Sequence, residues 1–254
     1  NNVFQYQIKA FGNKIPFSTD NFDIFIPIND TSINQVNIQF KNKDTSFAFT
    51  SVESKYFGIE FKESENELFL VESELTKQKI FIFKNISNIL SEGDYELIIS
   101  DGRLNNRIIK TRVVWFNKPI SLREVEIAIL SLKAIENEYT IANLLKGNSE
   151  EQTKKLEEYW RKFDPTPESR FNELMNEYYS RVDYCIDNFS ILGKLNGFET
   201  DRGLTYLKYG NPDIIERGIS EKGKIIEMWK YKQLGITLNF IDRNGNGNFQ
   251  ILRQ

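Results

Sequence analysis

Across Asn117–Pro119 the spacing of the hydrophobic residues changes from every second position to every third or fourth. A strand sends successive side chains to opposite faces, whereas a helix returns to the same face after three or four residues, so one element cannot satisfy both patterns. A change of period at a proline therefore splits the chain into residues 1–117, expected as an all-β sandwich of immunoglobulin-like type, and residues 118–254, expected as an α+β unit. A length of 254 residues fits two domains of roughly 100–200 residues each.

In the first part Val36, Ile38 and Phe40 alternate with polar residues. Similar runs follow at Phe47–Phe49, Tyr56–Phe61, Glu67–Val71, Lys79–Phe83, Tyr95–Ser100 and Ile108–Phe116. Asp101–Gly102 supplies a hairpin turn between the last two. Beyond the proline, Leu122, Val125, Ala128, Ile129, Leu132 and Ile135 fall at helical spacing behind a Ser121/Glu124 capping pair. A second pair, Ser149/Gln152, opens a helix bearing Leu156, Tyr159, Trp160 and Phe163. Asp164-Pro165-Thr166-Pro167 breaks it, and Thr166 is placed to cap a third helix with Pro167 in its first turn. The stripe Phe171, Leu174, Met175, Tyr178, Val182, Cys185 and Phe189 marks that helix's core face. From Gly203 the period returns to two. Leu204–Tyr209, Ile225–Tyr231, Gly235–Ile241 and Phe249–Leu252 are expected as a small antiparallel sheet beside about three helices.

Composition removes several kinds of chemistry. The chain has no histidine, so imidazole-based nucleophile activation, proton shuttling and the commonest metal ligand are absent. The single cysteine, Cys185, sits on the apolar stripe with no neighbouring activator and forms no disulfide within the chain. A net charge of −3 gives no electrostatic reason for nucleic-acid binding. The longest apolar run, Phe22–Ile28, is interrupted by Asp23 and Pro27 and is too short to span a bilayer. Phosphate-cradle and nucleophile-elbow motifs are missing, and no cofactor is expected. The sequence starts at Asn1 without Met or a leader pattern, as a processed or trimmed product does, which leaves room for a targeting signal upstream.

Several ordered strings carry a resemblance. Trp160-Arg-Lys-Phe-Asp164-Pro-Thr-Pro167 is followed by Asn172–Glu173, Tyr178–Tyr179 and Arg181-Val-Asp-Tyr184. Gly197-Phe-Glu-Thr-Asp201 comes next, then Arg202–Gly203, Tyr206-Leu-Lys-Tyr-Gly-Asn-Pro-Asp213 and Asn239-Phe-Ile-Asp242. Over roughly residues 117–254 the chain resembles the GWxTD-domain family, with Phe198 standing where the family motif has tryptophan. The resemblance implies a protein of the envelope of a bacterium with an outer membrane, periplasmic or outer-membrane-associated, with a lipid anchor upstream of residue 1. It implies little chemistry. The function expected is non-catalytic: an interaction or assembly protein, subunit or accessory of an outer-membrane complex whose partners are envelope proteins. The alternative is a polysaccharide- or cell-wall-binding module, or a hydrolase using carboxylates such as Asp164, Glu173 and Asp201.

The candidate binding residues are Gly197, Phe198, Thr200, Asp201, Arg202, Asp164 and Arg181. Phe198 is expected as an aromatic plug. Asp201 is expected to bond to amides of its own turn or to Arg181 or Arg202. Asp242, Asn244 and Asn246 imitate the start of a calcium loop, with a glycine at the sixth position. The twelfth position, where a bidentate glutamate belongs, is Arg253, and the flanks read as strands, so a hairpin turn is the expectation there.

Overall fold

Alternating side chains build two sheets in the N-terminal part of the computed structural model, which describes residues 5–7, 13–18, 22–51, 53–102, 106–191 and 196–252. Arg253 lies outside the described residues. The first sheet contains β1 (Gln5–Gln7), β3 (Ile24–Ile28), β6 (Glu53–Ser64) and β7 (Glu67–Phe83), in the order β1-β7-β3 with β6 also paired to β7. The second runs β2 (Lys14–Pro16), β9 (Arg107–Val114), β8 (Gly93–Ser100), β4 (Asn37–Lys41), β5 (Ser46–Thr50), and its β2–β9 pair is parallel. Ile38 and Phe40 of β4, Phe81 and Phe83 of β7, Leu97 of β8 and Val113 of β9 share one buried cluster, so residues of both sheets meet in a common core.

Two expected strands, Glu67–Val71 and Lys79–Phe83, are one. The polar stretch between them reads as a break, yet β7 continues past it because a register shift at Phe57/Gly58 absorbs the change of phase. Only glycine fits at that shift, since a Cβ on Gly58 would collide with the Leu75 carbonyl. Alternation missed β1, β2 and β3. The last of these carries Pro27 and lies at a sheet edge, where a missing amide is tolerated.

The chain divides into two compact units, Asn1–Asn117 with Thr166–Phe171, and Lys118–Pro165 with Asn172–Gln254. The short insert explains Phe171. Its ring packs on Phe17 and Trp115 of the first unit, at 5.5 and 5.2 Å, and not on the helical stripe expected for it. The helix begins two residues after Phe171, at Glu173, because Asn172 and not Thr166 is its cap, accepting the Met175 amide at 2.8 Å.

The second unit has five α-helices among its described residues, more than the three expected: α1 (Val125–Ser131), α2 (Glu138–Leu144), α3 (Ser149–Arg161), α4 (Glu173–Phe189) and α5 (Asp201–Tyr209). The long first helix is interrupted because Asn137 caps a new one, accepting the Thr140 amide. Ser121 and Glu124 form no capping box. Residues 120–123 are a 3-10 turn whose Ile120 and Ser121 amides both bond to the Asp183 carboxylate, at 2.6 and 2.9 Å. The other box is displaced by one residue, to Asn148 and Glu151, and Gln152 instead bonds the Leu145 and Gly147 carbonyls.

Leu204–Tyr209, expected as a strand, is α5. Its alternation imitates a strand, but Thr200 caps it, Asp201 and Lys208 suit its two ends, and Gly210, at φ +76°, stops it. The sheet consists of β10 (Ile214–Ile219), β11 (Ile225–Tyr231), β12 (Ile236–Asp242) and β13 (Phe249–Ile251), antiparallel and in that order. β10 falls in a stretch to which alternation assigns no element, because it buries almost nothing.

Tyrosine hydroxyls tie the helices together. Trp160 Nε1 donates to Tyr179 Oη at 3.1 Å, Tyr179 Oη donates to the Ala128 carbonyl at 3.2 Å, and Tyr178 Oη donates to the Ser131 carbonyl at 2.7 Å. Tyr179→Phe leaves the buried Trp160 indole and Ala128 carbonyl without this partner. It is expected to lower unfolding stability by about 1–3 kcal/mol in urea titration, with the slope unchanged.

Candidate functional site

The Gly197–Gly203 segment begins as a point of backbone contact. A Cβ on Gly197 would run into the Cys185 carbonyl of α4, and one on Gly203 would run into the Gly197 carbonyl. Three backbones therefore stack without intervening side chains. Ser190 Oγ accepts the Gly197 amide at 2.8 Å. Thr200 Oγ1 donates to the Gly197 carbonyl at 2.8 Å and accepts the Gly203 amide at 3.0 Å. Phe198 is buried in the core of the second unit with Cys185, Leu207, Trp229 and Phe240. Burial in that apolar setting pushes the Cys185 thiol up to about 12, so it is not a thiolate at neutral pH.

Asp201 bonds to neither candidate arginine. Its Oδ2 accepts the Ile251 amide of β13 at 2.7 Å. Neighbouring helical residues point about 100° apart, which sends Arg202 elsewhere. The Arg202 guanidinium lies between the rings of Phe189 and Phe249, 4.9 and 4.1 Å from their centres. Its Nη1 donates to Glu227 Oε2 at 3.1 Å and its Nη2 to the Gly247 carbonyl at 3.2 Å. Burial lowers its proton affinity from the ordinary arginine value, against the opposing pull of Glu227. The second oxygen of Glu227 accepts from Arg217 Nε of β10 at 3.2 Å. Arg181 pairs with Glu177 one helical turn away, at 2.8 Å, and its guanidinium lies alongside Gly210.

The sequence reading missed Glu227, Phe189, Phe249 and Gly247 as partners of this motif. One signal was present: Glu227 shares its phase with Trp229 and Tyr231, so a charge sits on the inward face of an alternating strand.

The three carboxylates Asp164, Glu173 and Asp201 do not converge. Glu173 opens α4 and Cys185, whose thiol lies 3.7 Å from the Gly203 carbonyl, is twelve residues along it, about 18 Å at 1.5 Å per residue. Glu173 and Asp201 therefore do not approach the roughly 5–9.5 Å spacing of a hydrolytic carboxylate pair. Asp164 lies just past the end of α3. Asp242 uses its oxygens on backbone amides, those of Asn244 and Asn246 at 3.2 Å and of Gly247 at 2.8 Å, and Asn246 Oδ1 accepts the Asn248 amide. These donors anchor the β12–β13 turn at the oxygens a calcium ion would need. Among the described residues no group of three or more acidic, histidine or cysteine side chains could hold a metal. A cleft of about 400 Å³ between α2 and α3, lined by Tyr139, Lys146, Lys155 and Tyr159 among others, includes no residue of the motif.

Removing one partner of a buried ion pair strands the other. Arg202→Ala is expected to destabilise the protein by about 3–5 kcal/mol, and Arg202→Met, which keeps the packing between the rings, by less, as measured by chemical denaturation. Burial raises the Asp242 carboxyl, but the amides of Gly247, Asn246 and Asn244 outweigh it and hold the group below its ordinary value of 3.8. A depressed folded-state value stabilises the fold at pH above 3.8, and this contribution disappears as the pH falls through the folded-state value. Asp242→Asn should therefore flatten the acid limb of a melting-temperature–pH curve below about pH 4.

The family model of the GWxTD domain matches residues 119–251, a stretch that includes the five helices and the four-stranded sheet. No curated protein and no solved structure matches the chain. With more than half of its length accounted for in this way, the chain belongs to the GWxTD-domain family.

Proposed function

We propose that this protein is a non-catalytic interaction or assembly module of the bacterial cell envelope, a subunit or accessory of an outer-membrane protein complex. One observation carries the non-catalytic part: the motif directs its polar groups inward. Thr200 holds its own turn, Asp201 holds β13, and Arg202 holds β11 and the β12–β13 turn. A catalytic group needs a free polar atom aimed at a substrate, whereas Thr200 Oγ1, Asp201 Oδ2 and both terminal nitrogens of Arg202 have partners inside the fold, and Arg202 Nε, which has none among the described residues, is buried. The envelope address, the lipid anchor upstream of residue 1 and the envelope-protein partners follow from the family resemblance. In this reading the two N-terminal sheets form an immunoglobulin-like sandwich that acts as a spacer or docking surface.

The test is co-purification. Tagged protein extracted in mild detergent from envelope membranes is expected to remain in stoichiometric association with outer-membrane proteins through size-exclusion chromatography. Asp201→Ala is expected to lower the melting temperature, with complex retention restored at temperatures where the variant is folded. Sedimentation with purified cell-wall sacculi or polysaccharide, with no protein co-purifying, would replace this reading with the carbohydrate-binding one.

A further inference from the structure

The two edges of the C-terminal sheet are finished differently. At β13 the outward amide of Ile251 is occupied by the Asp201 carboxylate. At β10 no strand among the described residues pairs with the free side. Alternate amides and carbonyls along about 20 Å of backbone therefore face outward. Edges of this kind are usually shortened, covered, or protected by charged side chains, proline or a bulge. β10 has no proline or bulge; its charges are Glu216 and Arg217, and the row that carries Arg217 is apolar at both ends. Ile215 pairs with Trp229, Arg217 with Glu227 and Ile219 with Ile225, so all six side chains share one face of the sheet. Trp229 and Glu227 are buried there, but Ile215, Ile219 and Ile225 are 45, 75 and 46% exposed. The inner face of the sheet thus continues past its helical cover as an apolar ledge with an arginine at its centre.

The charges select the occupant. Glu227 serves two guanidinium groups at once, Arg202 with one oxygen and Arg217 with the other. Asp242, whose charge also acts on Arg202, has both oxygens on backbone amides. Arg217 is 73% exposed along its side chain, so a second carboxylate can reach it from the open side. A second copy of this chain does not supply one. In an antiparallel pair, opposed residues point to the same face, so a symmetric β10–β10 pair must be centred on a residue. The two registers that align five of the six residues are centred on Glu216 or Arg217, and each sets that charge against its own copy. Like charges directly opposite are destabilising.

We propose that β10 is a strand-addition site for an extended segment of another protein, patterned apolar-x-acidic-x-apolar, with the acidic residue opposite Arg217. The proposal rests on the interaction reading above and names its surface. Backbone hydrogen bonds supply the affinity, while the Ile215–Arg217–Ile219 row supplies the choice of sequence.

The probe is a fluorescein-labelled peptide, Thr-Val-Thr-Glu-Thr-Val-Thr, compared by anisotropy with the same peptide carrying lysine at its centre. The glutamate peptide is expected to bind the intact chain at least about tenfold more tightly than the lysine peptide. Ile219→Lys is expected to abolish binding without changing the melting temperature, and Arg217→Glu to reverse the preference between peptides. Equal binding of the two peptides, binding of neither, or full binding by Ile219→Lys overturns the proposal. So does a dimer in sedimentation velocity that dissociates with Ile219→Lys, because the occupant is then a second copy. If an envelope complex is retained by both the unaltered chain and Ile219→Lys, the strand site falls and the interaction reading stands. If the peptide preference holds but no envelope complex is retained by the unaltered chain, the strand site stands and the envelope reading falls.

Discussion

A single guanidinium, that of Arg202, joins α4 and α5 to β11, β13 and the β12–β13 turn. It leaves α5, passes between a ring from α4 and a ring from β13, and ends on a carboxylate of β11 and a carbonyl of the β12–β13 turn. A charge in that position is tolerable only with partners on several sides, and two ring faces, a carboxylate and a carbonyl supply them, leaving only Nε buried without a hydrogen bond among the described residues. The surroundings follow from this requirement. Glu227 has to sit on an inward position of a strand, Phe249 has to cover the guanidinium's other face, and the turn after β12 has to hold its shape. Asp242 sees to the last by gathering three amides of that turn.

The same requirement explains why the motif was easier to find than to interpret. Asp201 and Arg202 stand out in the sequence as an adjacent acid and base, which suggests a pair. On a helix that adjacency separates them, and each finds a partner far away in the chain, at Ile251 and Glu227. Local signals misled by small amounts elsewhere. Asn148 takes the capping role one residue before Ser149, and Asn172 takes the role given to Thr166, because asparagine caps as well as the hydroxyl residues do. Leu204–Tyr209 has a strand's alternation and a helix's caps, and the caps prevailed. The inward positions Tyr178, Val182, Cys185 and Phe189 of α4 and three of the four C-terminal strands were legible because burial enforces their period, while the same stripe fails at Phe171, which precedes the helix, and at Leu174, which is exposed. β10 was not, since a strand that buries little leaves little pattern.

Phe198 illustrates a quieter economy. The family motif has tryptophan here, and an indole at a buried position brings an N–H that requires an acceptor. In the same core Trp229 Nε1 makes no hydrogen bond among the described residues. A phenyl ring at position 198 fills the apolar space among Cys185, Leu207 and Phe240 without adding a second such donor.

The glycine contacts carry a consequence for how such sequences are compared. Gly197 and Gly203 are required because the Cys185 carbonyl, the Gly197 carbonyl and the α5 backbone lie closer than any side chain permits. That is a condition on interatomic distance, independent of what any surface of the protein touches. Two proteins sharing these glycines share a way of stacking a loop between two helices, and nothing more is implied about their ligands. The motif that names the family is thus a spacing gauge for its architecture, and differences in biological role are to be sought in the parts of the surface that the gauge leaves free to vary.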